Sequence, residues 1–223
     1  MKRHLTVVVV GLGNFGSYMA RTLARLGHTV IAIDKNEERV HAVGRDLAKA
    51  VTANVATKEI YREVGAGGAD LAVVSLGERI DLSALATLHL KELGVKEIWV
   101  KVISEDQAQM MHMIGATNTI FPERDMAERL ALGLHQPYIT DRLKIADDFG
   151  ILEFQLPEHL AGKSLIDLDL RRRFSVNVIA LHDNETGESL LNFDPKQPLA
   201  EGDILYILGL LKNLERFQES FKT

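Results

Sequence analysis

The chain has 223 residues, 46% hydrophobic and 26% charged, with a formal net charge of −5; this is globular composition, and the acidic balance leaves no basic face for broad nucleic-acid binding. It contains no cysteine, which excludes disulfides, thiolate metal sites and a cysteine nucleophile. No apolar run approaches the roughly 18 residues of a membrane span, and Met-Lys-Arg-His before a short strand is no signal peptide, so the expected location is cytoplasmic, with any membrane role carried by a partner.

Leu5–Val10 is a near-continuous apolar run, as in a strand buried on both faces. Ser17–Leu26 has helical periodicity and ends at Gly27. Thr29–Asp34 is a second strand. Asn36 caps a helix running to about Arg45, with Glu37 and Glu38 suited to its positive end. "LAKAVTA" is a weaker third strand, and "ATKEIYREVGA" a short helix. "DLAVVSLG", "KEIWVKV" and "NTIF" are the fourth, fifth and sixth strands, separated by helices over Asp81–Leu93 and Glu105–Ile114 that stop at Gly94 and Gly115. Alternation of this kind predicts βαβ units: an α/β, Rossmann-like, doubly wound parallel sheet.

After Pro122 the rhythm changes. "ERDMAERLALGLHQ" is one more helix. The remainder carries four of the five prolines (Pro137, Pro157, Pro195, Pro198), strands at "VNVIAL", "SLLNF" and "DILYILG", a hairpin turn at "HDNETGE" and a closing helix at "KNLERFQESF". The expected division is residues 1–136 and a small α+β domain of residues 137–223. No internal repeat or low-complexity tract interrupts either part.

Gly11, Gly13 and Gly16 form G-x-G-x-x-G between a strand and a helix. The first glycine permits the tight turn, the second lets a pyrophosphate approach the backbone, and the third lets helix pack on strand. Asp34 ends the second strand at the distance that suits a ribose diol, and its charge would repel a 2′-phosphate, which disfavours NADP. Lys101 ends a strand expected to be buried on both faces. It meets either a ligand phosphate, a site carboxylate, or solvent at the sheet end. Glu123 reads either as a carboxylate at a helix N-terminus or as the ligand of a divalent cation bridged to phosphate oxygens.

Met110, Met111, Met113 and Ile114 cover more than one helix face, and Met126, Leu130 and Leu134 recur at i, i+4, i+8 with Leu132 on another side. Both patterns suggest subunit contacts. "DLRRRF" is either a solvated turn or an anion site. The eight histidines show no metal spacing, and His135 has no obvious catalytic partner. A dehydrogenase needs a general acid or base brought to the nicotinamide, and the second domain offers no such constellation. That favours a nucleotide sensor, with a small NAD-dependent oxidoreductase as the alternative.

"VVVVGLGNFGSYMARTLARLGHTVIAIDKNEERV", "LHLKELGVKEIWVKV", "IGATNTIFPERDMAERLA" and "SLIDLDLRRRFSVNVIAL" resemble the cytosolic regulatory subunits of Ktr/Trk-type potassium uptake systems over essentially the whole chain. The resemblance implies an RCK N-terminal domain followed by an RCK C-terminal domain. It implies a homodimer that assembles into a ring, commonly an octamer, beneath a membrane potassium-translocating subunit. It implies ATP or ADP as ligand, with NAD(H) an alternative and Mg²⁺ or Ca²⁺ as companion cation. By similarity the site is Gly11, Gly13, Asn14, Phe15 and Gly16 at the phosphates, Asp34 and Lys35 at the ribose end, Asn54 near the adenosine, Ser75, Lys101, and Glu123 as the cation ligand. "SLIDLDLRRRF" and Asn177 match the region where the family's C-terminal domain can hold cyclic di-AMP between two subunits. Many Ktr-type members carry arginine where this chain has Asn14. Asparagine keeps a hydrogen bond but loses a charge, so ATP, ADP, AMP and NAD(H) all stay open.

Overall fold

The computed structural model describes residues 4–135 and 138–221; the side chains of Leu132 and His135, both singled out from the sequence, lie outside the described residues, as does Pro137. The chain divides into two compact units, residues 1–124 and 125–223.

The first unit runs β1 (Thr6–Val10), α1 (Asn14–Arg25), β2 (Thr29–Asp34), α2 (Glu37–Gly44), β3 (Lys49–Thr52), α3 (Lys58–Glu63), β4 (Leu71–Val74), α4 (Ile80–Glu92), β5 (Glu97–Lys101), α5 (Glu105–Ile114) and β6 (Asn118–Ile120). Its six-stranded sheet has the order β3-β2-β1-β4-β5-β6, and every pairing is parallel. This is the Rossmann-like arrangement. Val7, Val8, Val9 and Val10 are all buried because β1 lies at the centre, with helices on both faces. Side chains alternate along a strand, so Val8 and Val10 join the core that contains Ile33, Tyr61, Leu90 and Met111. Val7 and Val9 join the other, with Ala20, Ala32, Val43 and Val73. Asn36 caps α2 by accepting from the Arg39 backbone N–H at 3.0 Å, as its spacing predicts.

Strand β5 departs from expectation. It was expected to be buried on both faces, yet Glu97 is exposed, and Trp99 and Lys101 are half-buried, while Ile98 and Val100 are enclosed. Only one short strand, β6, separates it from the sheet edge, so one face is incompletely covered. On α5, Met111 is fully buried and Met113 lies 75% exposed.

Helix α6 (Pro122–His135) follows β6. Then come β7 (Ile139–Lys144), β8 (Phe149–Gln155), α7 (Leu165–Leu168), α8 (Leu170–Phe174), β9 (Asn177–His182), β10 (Ser189–Leu190), β11 (Ile204–Leu210) and α9 (Leu211–Glu219). The strands form an antiparallel five-stranded sheet of order β10-β9-β11-β8-β7. The Phe217 ring meets Phe154 edge-on at 5.0 Å and Phe174 at 5.4 Å, and α9 closes over Leu152, Leu205 and Ile207 with Leu214. "DLRRRF" is helical as α8 and not a turn. Left-handed residues bracket it: Asp169 (φ 45°) and Ser175 (φ 56°).

Candidate functional site

The β1–α1 turn is built by contacts that exclude any side chain. Gly11 has φ +94°, and a Cβ there would lie 2.2 Å from the Ser75 carbonyl oxygen; a Cβ on Gly16 would lie 1.9 Å from the Gly11 carbonyl oxygen. Gly11 therefore brings β1 against the end of β4, and Gly16 brings α1 against the turn. Gly13 is different: a Cβ there meets nothing within 4 Å. The open space beside it lies at the start of α1, where unpaired backbone N–H groups and the helix dipole favour an anion.

Asp34, at the end of β2, is 5% exposed. One carboxylate oxygen accepts from the Leu12 backbone N–H at 2.5 Å and the other from the Asn36 N–H at 2.8 Å. The carboxylate is thus locked to the glycine turn before any ligand arrives, and each oxygen keeps a lone pair for a further donor. Arg39 Nη1 stands 3.9 Å from it.

These residues border a cavity of about 240 Å³ lined by Gly11, Gly13, Asp34, Lys35, Arg39, Val55, Ser75, Leu76, Gly77, Arg79 and Leu82. The structure therefore brings together Gly11, Gly13, Asp34, Lys35 and Ser75. Gly16 packs behind the turn. Asn14 is exposed at the first residue of α1. Phe15 packs into the apolar cluster around β1 and does not line the cavity. Asn54 is exposed beside the lining residue Val55, and its side chain accepts from the Ala56 N–H at 3.1 Å. Val55 in turn is held by the Tyr61 hydroxyl, which donates to its carbonyl at 2.6 Å. Burial pushes that phenol's pKa well above its usual value.

Lys101 and Glu123 lie apart from the cavity lining and are paired with each other. The Lys101 hydrogen bond holds the Glu123 carboxyl below the usual carboxylate range. Among the described residues no group of three or more His, Asp or Glu side chains is placed to hold a metal. Glu123 offers one carboxylate, so a cation there would take its other oxygens from a phosphate ligand and water.

Sequence reasoning missed Arg39 and Arg79. Arg79 follows β4 and makes a two-pronged contact with Asp81, Nε to Oδ1 at 3.0 Å and Nη2 to Oδ2 at 2.8 Å. That contact draws the Asp81 pKa down to about 2. No spacing rule points to these arginines, because the fold brings them to the turn.

In the second unit a cavity of about 490 Å³ is lined by Leu165, Ile166, Arg171, Asn177 and Phe193 among others. Of the three consecutive arginines, Arg171 lines it, whereas Arg173 donates to the Leu168 carbonyl at 3.2 Å and lies over the Phe174 ring at 5.0 Å. Among the described residues no helix is long and apolar enough to cross a membrane.

Residues 7–122 match the TrkA-N domain and residues 151–222 the TrkA-C domain. The chain is 33% identical over 210 residues to Ktr system potassium uptake protein A of Bacillus subtilis (strain 168), covering 94% of each. It is 31% identical over 211 residues to Ktr system potassium uptake protein C of the same organism, covering 95% of each. The solved GsuK channel bound to NAD shares the fold, with a TM-score of 0.56 and 20% identity over 98% of this chain and 38% of that one. A TrkA-N domain followed by a TrkA-C domain, and 33% identity to a Ktr protein over 94% of the chain, place this chain in the Ktr/Trk potassium uptake protein family.

Proposed function

We propose that this chain is the nucleotide-sensing regulatory subunit of a potassium uptake system. The observation that carries this reading is the 33% identity to a Ktr potassium uptake protein over 94% of the chain, since a Rossmann-like fold alone serves many functions. The chain binds an adenine nucleotide, ATP or ADP first and NAD(H) as the alternative. Gly11, Gly13, Asn14 and Gly16 form the phosphate turn, Asp34 and Lys35 receive the ribose, Asn54 and Val55 flank the base, and Ser75 closes the far wall. Glu123 supplies one ligand to a divalent cation on the phosphates, sharing its carboxylate with Lys101.

The role is regulatory, not catalytic. Among the described residues the titratable side chains lining the cavity are Asp34, Lys35, Arg39 and Arg79, and Asp34 is already held by two backbone donors. Neither arginine is a proton shuttle at neutral pH. The remaining one, Lys35, is assigned to the ribose end, away from where a nicotinamide would react, so a small oxidoreductase would have to bring its acid or base from elsewhere.

A ligand changes the balance between two shapes of an assembly only through its different affinity for each. Copies of the chain pair and close into a ring, an octamer, against a membrane potassium-translocating subunit. Exposed Met113, Met126, Leu130 and Leu134 (50–88% exposed) supply apolar surface for those contacts. The cavity beside Arg171 and Asn177 is the proposed site for cyclic di-AMP.

Calorimetry with ATP, ADP, NAD, NADH and NADPH, together with the identity of the co-purifying nucleotide, tests this. Binding of at least one adenine nucleotide below millimolar is expected. Binding of none, or turnover of NADH with small carbonyl compounds, overturns it.

A further inference from the structure

The order β2-β1-β4 in the sheet puts the glycine turn between two walls, each of which carries an arginine. On the β2 side stand Asp34 and, 3.9 Å from it, Arg39. On the β4 side stands Arg79, reached through Gly77 (φ 64°). A nucleotide whose ribose meets Asp34 and whose phosphates cross the start of α1 directs its far end toward the β4 wall. That far end is a terminal phosphate in a nucleoside triphosphate. In a dinucleotide it is a second, uncharged ribose.

We propose that Arg79 is the specificity-determining residue of this cavity, exchanging its pairing with Asp81 for the terminal phosphate of a nucleoside triphosphate. The proposal rests on the nucleotide reading above and deepens it. Its guanidinium makes a two-pronged contact with the Asp81 carboxylate, at 3.0 and 2.8 Å, while bordering the same cavity as Gly13. A guanidinium fits phosphate oxygens in the geometry it uses for a carboxylate, so one planar group can serve either partner. The exchange is inexpensive, because Arg79 and Asp81 are 55% and 61% exposed and exposed pairs contribute little. Asp81 also sits in the first turn of α4, where the helix end continues to stabilise its charge once Arg79 leaves. Triphosphate binding thereby frees a carboxylate at the start of α4, a local change that a diphosphate or a dinucleotide produces less or not at all.

The test is calorimetry on the full chain with ATP, ADP and NADH, for wild type, Arg79→Ala, Arg79→Lys and Asp81→Asn. Arg79→Ala is expected to weaken ATP by about tenfold or more, ADP by less, and to leave NADH unchanged. Arg79→Lys recovers part of the loss, because charge returns without the fork. Asp81→Asn is expected to tighten ATP by up to about fivefold, a gain that misfolding cannot imitate. Equal losses for all three ligands in Arg79→Ala, or unchanged ATP affinity, overturn the assignment while leaving the nucleotide site intact. If wild type binds none of the three, the nucleotide reading falls and this one with it.

Discussion

Lys101, the last residue of β5, donates through Nζ to the carboxylate of Glu123 in the first turn of α6, tying two neighbouring chain ends at the carboxyl side of the sheet. The lysine is 13% exposed and the glutamate 69%. The pair is therefore a half-buried cation anchored by an exposed carboxylate.

The hydrogen bond from Lys101 lowers the Glu123 pKa, with partial burial opposing. A depressed folded pKa means the stabilisation is fully present above the unfolded value near 4.3 and is lost as pH falls through the folded one. Lys101→Met should bring the Glu123 pKa back up toward the ordinary carboxylate range, as read by carbon NMR of labelled glutamate. The stability change at pH 7 stays within about 1 kcal/mol, because the Glu123 end of the pair is solvent-screened. An unmoved Glu123 titration would show that the pair is not formed in solution.

The glycines should separate folding from binding. Gly16→Ala drives a Cβ to 1.9 Å from a backbone oxygen, and should cost about 1–3 kcal/mol or more, seen as a lowered urea midpoint. Gly13→Ala meets no protein atom within 4 Å and should unfold like wild type. It should nevertheless lose about tenfold or more in nucleotide affinity, because the methyl occupies the phosphate approach. Loss of stability without loss of binding in Gly13→Ala would contradict the cradle.

Asp34→Ala removes the acceptor of the Leu12 and Asn36 N–H groups. Leaving a buried donor unpaired costs about 1–3 kcal/mol, and every adenine nucleotide should lose its ribose contact. Glu123→Gln, by contrast, should reduce only cation-dependent binding. Calorimetry with and without Mg²⁺ distinguishes them. Identical behaviour of the two variants removes the cation role from Glu123.

Phe217→Ala should cost about 3–5 kcal/mol, because its ring is fully buried and makes edge-on contacts with Phe154 and Phe174. Chemical denaturation followed by circular dichroism reads the loss. A shift below about 1 kcal/mol would mean that α9 is not docked on this sheet.

Much of the first unit was legible in the sequence because its signals are local. A strand buried on both faces is a run of valines, as Val7–Val10 shows, and Thr29–Asp34 is bounded by a glycine on one side and a cap on the other. In the second unit β7 and β8 were not singled out. Arg142 and Lys144 interrupt the apolar pattern of β7, which stands at the end of its sheet beside β8, so half its side chains face water. "DLRRRF" has the composition of a turn, yet it folds as α8 because Leu170 and Phe174 bury themselves in the core, at 4% and 6% exposure.

The sequence by itself determined the nucleotide cradle's parts: three glycines between a strand and a helix, an aspartate ending the next strand, and a chain-long likeness to potassium uptake regulators. The glycines and the aspartate act through neighbours in the chain or through backbone geometry, so spacing reveals them; the likeness rests on whole segments such as "KEIWVKV" and "SLIDLDLRRRF". Only the tertiary structure decided which side chains face one another: that Asp34 is locked to Leu12, that Lys101 meets Glu123, and that Arg39 and Arg79 stand at the cavity walls. Parallel sheet order, not sequence distance, sets those encounters, because β4 packs beside β1 after two intervening strands have been laid on the other side.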